Sequence, residues 1–507
     1  MSRTTVATAP GSRPPPEDDS ALSGRPKGLL TLSGLEVWER FSFLGMQAIL
    51  VLCLADTVAH GGLGMSAGTA ASVSAAYGTL GCLGYLGSVA GGRLADRILG
   101  SYRAVLWGGV LIACGHCSMA VPTAATTWLG VGLGLISTGT GLFKPNVATM
   151  VGKLYTTDDD RRDAGFALHY TAISTGAFAG PLITGRLGEH QGRHQGFSAA
   201  AIGMTFGLIQ YVMGRRHLAG RKHTAEFALA PDSMRRAVRL LVAGIAATAV
   251  TATGFAAAGR LTMDRFVDLL TLVSVTAPAV CFAVMFTSPR MTAGERGRLR
   301  PYLVLFLAST AFNFILFQAY STMMQPAASN AETALLGFGF AAVWYASALG
   351  AFEVGLALVV AALRVRTGRG RPHASDKIAI GVVLGGLSFL LMLLPTSGHA
   401  LDDHLMSAWW IVGSYLLLGL GGILLETSGR SATTKRAPAA FSSQTMSLRF
   451  LSLRFLSLAL ADGVQARTVK LYDAVSRPAH FGVNGAIAGP AVMAAAPWLR
   501  RTMHPVH

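Results

Sequence analysis

The sequence predicts an all-α membrane protein with about fourteen transmembrane helices. Three observations predict it: a scarcity of charge, the recurrence of apolar runs about twenty residues long, and a one-sided placement of Lys and Arg. Hydrophobic residues make up 51% of the 507 and charged residues 13%, about half the charged share of a soluble protein. The mean hydropathy is +0.47. Such a chain lacks the polar surface to stay in water, and its 60 Gly residues suit helices that pack closely in lipid.

The first 28 residues, with Pro14-Pro15-Pro16-Glu17-Asp18-Asp19, read as a disordered cytoplasmic tail. The apolar runs then fall near 31–55, 68–92, 103–121, 127–151, 164–187 and 197–214. Two more lie near 238–258 and 266–287. Six follow, near 302–325, 336–363, 377–395, 406–428, 440–461 and 481–499. No separate signal peptide is expected, because the first run already carries Glu36, Glu39 and Arg40.

The net charge of +17 raises the question of nucleic acid, and the positions of the cations answer it. With the N-terminus in the cytoplasm, 31 of the 42 Lys and Arg residues fall in cytoplasmic segments. The outer loops hold seven: Arg186, Arg193, Arg260, Arg265, Arg467, Lys470 and Arg477. Arg40, Lys144, Arg449 and Arg454 lie inside helices. This is the positive-inside pattern, and it also supports an even helix number. Runs such as Arg215-Arg216, Arg235-Arg236 and Arg364 to Arg371 are topogenic anchors. The expectation is a multi-pass cell-membrane protein with both termini cytoplasmic, lipid as its surroundings and no nucleic-acid partner.

The runs divide as six, two and six: a bundle over 29–216, a linker with two accessory helices over 217–300, and a second bundle over 301–507. A basic link, Gly92-Arg93-Leu94-Ala95-Asp96-Arg97 to Arg103, joins the second and third runs, and Arg364 to Lys377 stands at the corresponding place in the second block. Two six-helix repeats with the substrate between them are the major-facilitator plan. The inserted pair has no ionisable residue at mid-helix depth and reads as an accessory that lines no pathway.

Charge inside a membrane is costly and marks function by default. The sharpest cluster is Glu36-Val37-Trp38-Glu39-Arg40-Phe41. Its spacings of three and four put Glu36, Glu39 and Arg40 on one helix face. It reads either as a self-neutralised patch or as a titratable carboxylate pair competing with a substrate anion for Arg40. Lys144 stands in Gly139-Thr140-Gly141-Leu142-Phe143-Lys144-Pro145-Asn146, where Pro145 bends the helix. The glycines there do not make a phosphate loop, because no strand precedes them and Pro follows the Lys. Cys114-Gly115-His116-Cys117 matches a redox motif but lies in an apolar helix without the βαβ context that chemistry needs. His169 reads as a packing histidine or a proton-transfer group. Tyr77, Tyr85 and Trp344 are candidate cavity-lining groups, with plain packing as the alternative.

These residues resemble the proton-dependent oligopeptide transporter (POT) family of the major facilitator superfamily. The resemblance lies in Glu36 to Gly45, Gly91 to Arg97, Gly139 to Asn146, Asp160 to Phe166, Tyr170 to Gly176 and Gly180 to Gly185, spanning roughly 30–190. The inserted pair is similar to that of bacterial members. The resemblance implies a proton symporter of small peptides working by alternating access, with no cofactor beyond the proton gradient, no catalytic or metal-ligating residues, and a monomer. It implies that Glu36, Glu39 and Arg40, with Lys144, couple protons to binding of the substrate carboxylate; Phe43, Ser174, Tyr77, Gln318 and Trp344 are further candidate substrate-binding residues beside Arg40 and Lys144, and Glu353 is a further candidate for proton coupling.

The chain also departs from that family. Phe43-Leu44 stands where the family has a tyrosine pair, and Ser174 where it has asparagine. No glutamate precedes Gln318 between Phe314 and it, and Gly421-Gly422 takes the place of Gly-Glu. Glu353 and Glu426 are candidate replacements for the missing carboxylates, with a structural pairing to a basic residue as the alternative. Arg449 and Arg454 sit in a repeated Ser-Leu-Arg-Phe-Leu and cannot share a face, being about 140° apart. The substrate is thus a di- or tripeptide or a related carboxylate. A non-peptide metabolite moved outward by proton antiport is the alternative, and a membrane redox enzyme or scaffold is the reading from another class.

Overall fold

The computed structural model describes residues 20–21, 25–57, 62–84, 99–122, 126–152, 154–155, 161–218, 239, 262–287, 293–335, 337–366, 374–397, 405–436 and 444–486. They form α1 (Lys27–Ala55), α2 (Ala67–Gly84), α3 (Ser101–Met119), α4 (Thr126–Gly152), α5 (Arg161–His190) and α6 (Arg193–Met213). After these come α7 (Met263–Thr287), α8 (Ala293–Gln318), α9 (Trp344–Arg366), α10 (Ala374–Ser397), α11 (Ala408–Arg436) and α12 (Gln444–Thr468), and α13 over 477–486. The run at 238–258 (Arg239 apart), the motif Gly91 to Arg97 and Tyr85 lie outside the described residues, as do the side chains of Glu426, Arg449 and Arg454.

Several helix ends differ from the sequence expectation for local reasons. The run 302–325 is helical only to Gln318, after which the chain turns. There the Tyr415 hydroxyl donates to the Ala319 carbonyl at 2.6 Å, so the helix end is satisfied without another turn of helix. The run 336–363 begins with a tight hairpin pairing Ala334–Leu335 with Phe338–Gly339, turned by Gly337 at φ +82°, a conformation that favours glycine. In the other direction, α12 continues seven residues beyond the expected 461, to Thr468.

Within the first six helices, α1 packs on α5 and α6, and α3 on α4. Within the last six, α10 packs on α11, and α8 on α12. The α3–α4 and α10–α11 pairs occupy equivalent places in the two sets, and glycine allows the close approach in both. A Cβ on Gly139 would stand 2.5 Å from the Gly108 carbonyl oxygen, and one on Gly421 2.5 Å from that of Gly381. Such backbone-to-backbone packing supplies helix association where lipid removes the hydrophobic drive.

Among the described residues, two helix pairs form the main seams between the sets: α2 against α12, and α5 against α9. The second helix of one set thus meets the fifth of the other, twice, as expected for related halves. Both seams are closed at the end of the bundle away from Lys27, called here the far end. Ser72 Oγ donates to the Ala466 carbonyl at 2.5 Å. Asp473 accepts from the Gly68 backbone N–H at 2.8 Å and from Ser66 Oγ at 2.5 Å, so a residue of one set caps the first turn of α2 in the other. On the second seam, Trp344 Nε1 donates to the Leu182 carbonyl at 2.9 Å. The accessory helix α7 lies along the α2–α12 seam, where Phe266 meets Tyr77 at 5.8 Å between ring centres and Thr271 Oγ1 donates to the Gly463 carbonyl at 2.9 Å.

Candidate functional site

Glu36, Glu39 and Arg40 share one face of α1. α5 lies close on that helix because Gly180 leaves room: a Cβ there would stand 2.5 Å from the Phe41 carbonyl oxygen. Opposite, α4 presents Lys144 one residue before a proline, which removes a backbone donor and loosens the helix. Asn146 Nδ2 donates to the Leu142 carbonyl at 2.7 Å, and Thr149 Oγ1 to that of Pro145 at 2.8 Å.

Lys144 Nζ bonds both Glu36 and Glu39. Arg40 Nε stands 3.5 Å from Glu36 Oε1 and 3.4 Å from Glu39 Oε2. Two carboxylates and two cations therefore form one closed quartet. Glu39 is 1% exposed and Lys144 9%; the Arg40 side chain keeps 22% of its surface. Arg40 also lies over the Phe43 ring at 5.9 Å, so the phenylalanine contributes a π face where a hydroxyl is absent. His169 sits behind the quartet, its Nδ1 3.4 Å from Ser33 Oγ. Buried charges of this kind persist only when paired. Protonating either Glu frees a cation to hold an anion.

Glu353 approaches the same region from the other set. It is half-buried on α9, and a Cβ on Gly422 would lie 3.7 Å from its Oε1. It thus occupies the space beside the glycine that stands where a glutamate was expected. Tyr320 is buried within electrostatic range of both Glu353 of one set and Arg40 of the other. Sequence reasoning missed Tyr320, since an aromatic residue in an apolar run carries no directional mark. Ser174 is buried on α5, two residues before Gly176, whose Cβ would meet the Arg40 Cβ at 2.8 Å.

The structure does not bring Tyr77, Gln318 and Trp344 to the quartet. Tyr77 packs at the α7 seam. Gln318 is fully buried and committed: its Nε2 donates to the Phe314 carbonyl at 3.2 Å, while its Oε1 meets Thr322 Oγ1 at 3.0 Å and His480 Nε2 at 3.3 Å. Trp344 lines an apolar cavity of about 530 Å³ with Leu182, Ile183, Arg186, Leu187, His190 and Gln191. That cavity lies at the far end of α5, away from the quartet.

Residues 102–480 match the sequence profile of the POT family. The chain is 37% identical over 486 residues to an uncharacterized transporter, YclF, of Bacillus subtilis (strain 168), covering 95% of each. It is 35% identical over 488 residues to a di-/tripeptide transporter of Lactococcus lactis subsp. cremoris, covering 92% of this chain and 94% of that one. A crystal structure of a peptide transporter POT in complex with sulfate superposes with a TM-score of 0.87 at 38% identity, over 96% of this chain and 98% of the other. The architecture is the major facilitator fold in a multi-pass membrane protein, and the chain belongs to the POT family of transporters.

Proposed function

We propose that this protein is a proton-coupled symporter that imports di- and tripeptides by alternating access. The observation that carries the reading is the buried quartet of Glu36, Glu39, Arg40 and Lys144. It is a site where one proton exchanges for one substrate carboxylate. Arg40 and Lys144 take the peptide carboxylate after a proton neutralises Glu36 or Glu39, and Phe43 and Ser174 flank them. Glu353 holds the amine end from the opposite set and couples a further proton. The relative named as a di-/tripeptide transporter supports the substrate class, and no observation favours a non-peptide exporter. The protein acts as a monomer, with both termini cytoplasmic as the Lys and Arg distribution requires. It needs no cofactor beyond the proton gradient and performs no covalent chemistry.

Reconstituted into liposomes with an inward proton gradient, the protein is expected to accumulate radiolabelled dipeptide at least tenfold over gradient-free vesicles. Lys144→Ala removes that accumulation. Folded protein that moves no peptide from a broad di- and tripeptide panel refutes the reading.

A further inference from the structure

The cavity of about 530 Å³ at the far end of the α5–α9 seam has apolar walls, Leu182, Ile183, Leu187 and Trp344, beside the polar Arg186, His190 and Gln191. Its size falls within the roughly 300–1,000 Å³ of small-molecule pockets. Gly185 lets the two helices meet beneath it, since a Cβ there would stand 2.7 Å from Val343 Cβ. The Trp344 indole is held in place by its bond to the Leu182 carbonyl at 2.9 Å. Phe338 of the hairpin stacks on that indole at 6.1 Å and is itself 63% exposed. Ile183 is 49% exposed, so the cavity opens on the outside of the bundle.

The cations of the far end are mostly committed. Arg193 pairs with Asp56, Arg467 with Asp268 and Lys470 with Asp264. Arg477 donates to the Asn330 side chain, and Arg265 is engaged as well. Among the described residues, Arg186 has neither a carboxylate nor a hydrogen-bond partner. Glu189, three residues on, does not line the cavity. Arg186 lies about one turn inside the end of α5 at His190. With Trp344 beside it, this is the depth at which aromatic and basic residues meet lipid headgroups.

We propose that this cavity binds an anionic phospholipid of the far leaflet, with its phosphate on Arg186 and His190 and an acyl chain along Leu182, Ile183, Leu187 and Trp344. A guanidinium matches phosphate oxygens with two parallel hydrogen bonds, and an imidazole N–H adds a third. A small free anion would use Arg186 and leave the apolar walls uncovered. An uncharged apolar molecule would cover the walls and leave Arg186 unpaired. An anionic lipid satisfies both, as in other basic pockets between membrane helices. A zwitterionic lipid gains less, because its own ammonium already offsets the phosphate. Trp344 comes from one set and the other lining residues from the other, so the lipid lies across the seam. The site stands apart from the quartet, and its occupancy does not depend on what the protein carries.

The test puts a photoreactive benzophenone amino acid in place of Phe338, with the protein in liposomes of equal parts phosphatidylglycerol and phosphatidylcholine. After illumination, mass spectrometry of the protein counts each lipid attached. The same label in place of Trp409, an exposed aromatic at the far end of α11, is the reference. Capture at Phe338 is expected to favour phosphatidylglycerol by about fivefold over the reference ratio, the factor that one cation near a membrane surface supplies. Arg186 is exposed, so its variants are expected to fold. Arg186→Gln is expected to bring the ratio down to the reference, and Arg186→Lys to keep the preference. The proposal is overturned if both positions capture the lipids in the same ratio, or if Arg186→Gln leaves the preference unchanged. It is also overturned if Arg186→Lys abolishes the preference, or if the attached mass is a second copy of the chain. None of these readings requires peptide uptake, so a protein that moves no peptide sinks the transport reading alone.

Discussion

Lys144 is the group on which the quartet turns, since it alone bonds both carboxylates from the opposite helix. Removing one partner of a buried ion pair costs about 3–5 kcal/mol, because the remaining charge is left uncompensated. Lys144→Ala is therefore expected to lower the melting temperature in detergent as well as to stop proton-driven uptake. Lowering the pH should recover part of that stability, by neutralising the carboxylates the Lys had held. For Glu353, the expected signature is different: Glu353→Gln keeps peptide exchange at equal pH but loses accumulation against a gradient. Unchanged accumulation in that variant refutes its coupling role. The quartet was legible in the sequence because charges in apolar runs announce themselves. The reach of α12 was not, since the apolar run was ended at 461 and the helix continues to Thr468. Tyr77, Gln318 and Trp344 were legible only as polar or aromatic residues inside helices, a pattern that does not say which neighbour each will meet: the Tyr77 ring meets Phe266, Gln318 meets Thr322 and His480, and Trp344 bonds the Leu182 carbonyl beside the cavity it lines.

At the level of elements, the trans cap on α2 makes the clearest prediction. Asp473 satisfies the Gly68 N–H that α2 would otherwise leave to water. Losing such a cap costs about 1 kcal/mol, roughly a fivefold shift in a two-state equilibrium. Asp473→Ala is expected to raise the open population at the far end by about that factor, read as the distance between spin labels at the exposed Thr57 and Leu471. The glycine contacts make a second. Gly139→Val forces the α3–α4 pair apart against the Gly108 carbonyl. A core overfilled in this way loses about 1–3 kcal/mol, seen as reduced thermal stability without a change in the pH profile of whatever protein folds. Helix existence was readable from run length and hydropathy. Helix termination was not, because it depends on partners such as Tyr415, 96 residues along the chain from Ala319.

For the whole molecule, the paired seams are the mechanical result. Alternating access requires α2 and α12 to part at the far end in one state. A disulfide between Ser72→Cys and Ala466→Cys, placed where the Ser72 hydroxyl now meets the Ala466 carbonyl, is expected to stop transport under oxidation and to restore it on reduction. Continued uptake by the cross-linked protein contradicts seam opening. The sequence carried only a faint echo of the two halves, in the basic links after the second helix of each set. Their relation becomes plain in the exchanged seam partners and in the glycine contacts of α3–α4 and α10–α11, where different residues around a shared glycine do the same work.

The composition of the quartet has an electrical consequence. With all four groups ionised, its two positive and two negative charges cancel. Moving one elementary charge through a membrane potential is worth about 2.3 kcal/mol per 100 mV, and a cancelled cluster feels none of it. The return stroke of the empty carrier therefore draws no voltage dependence from this site. Lys144→Ala would leave one net negative charge there and tie that stroke to the membrane potential.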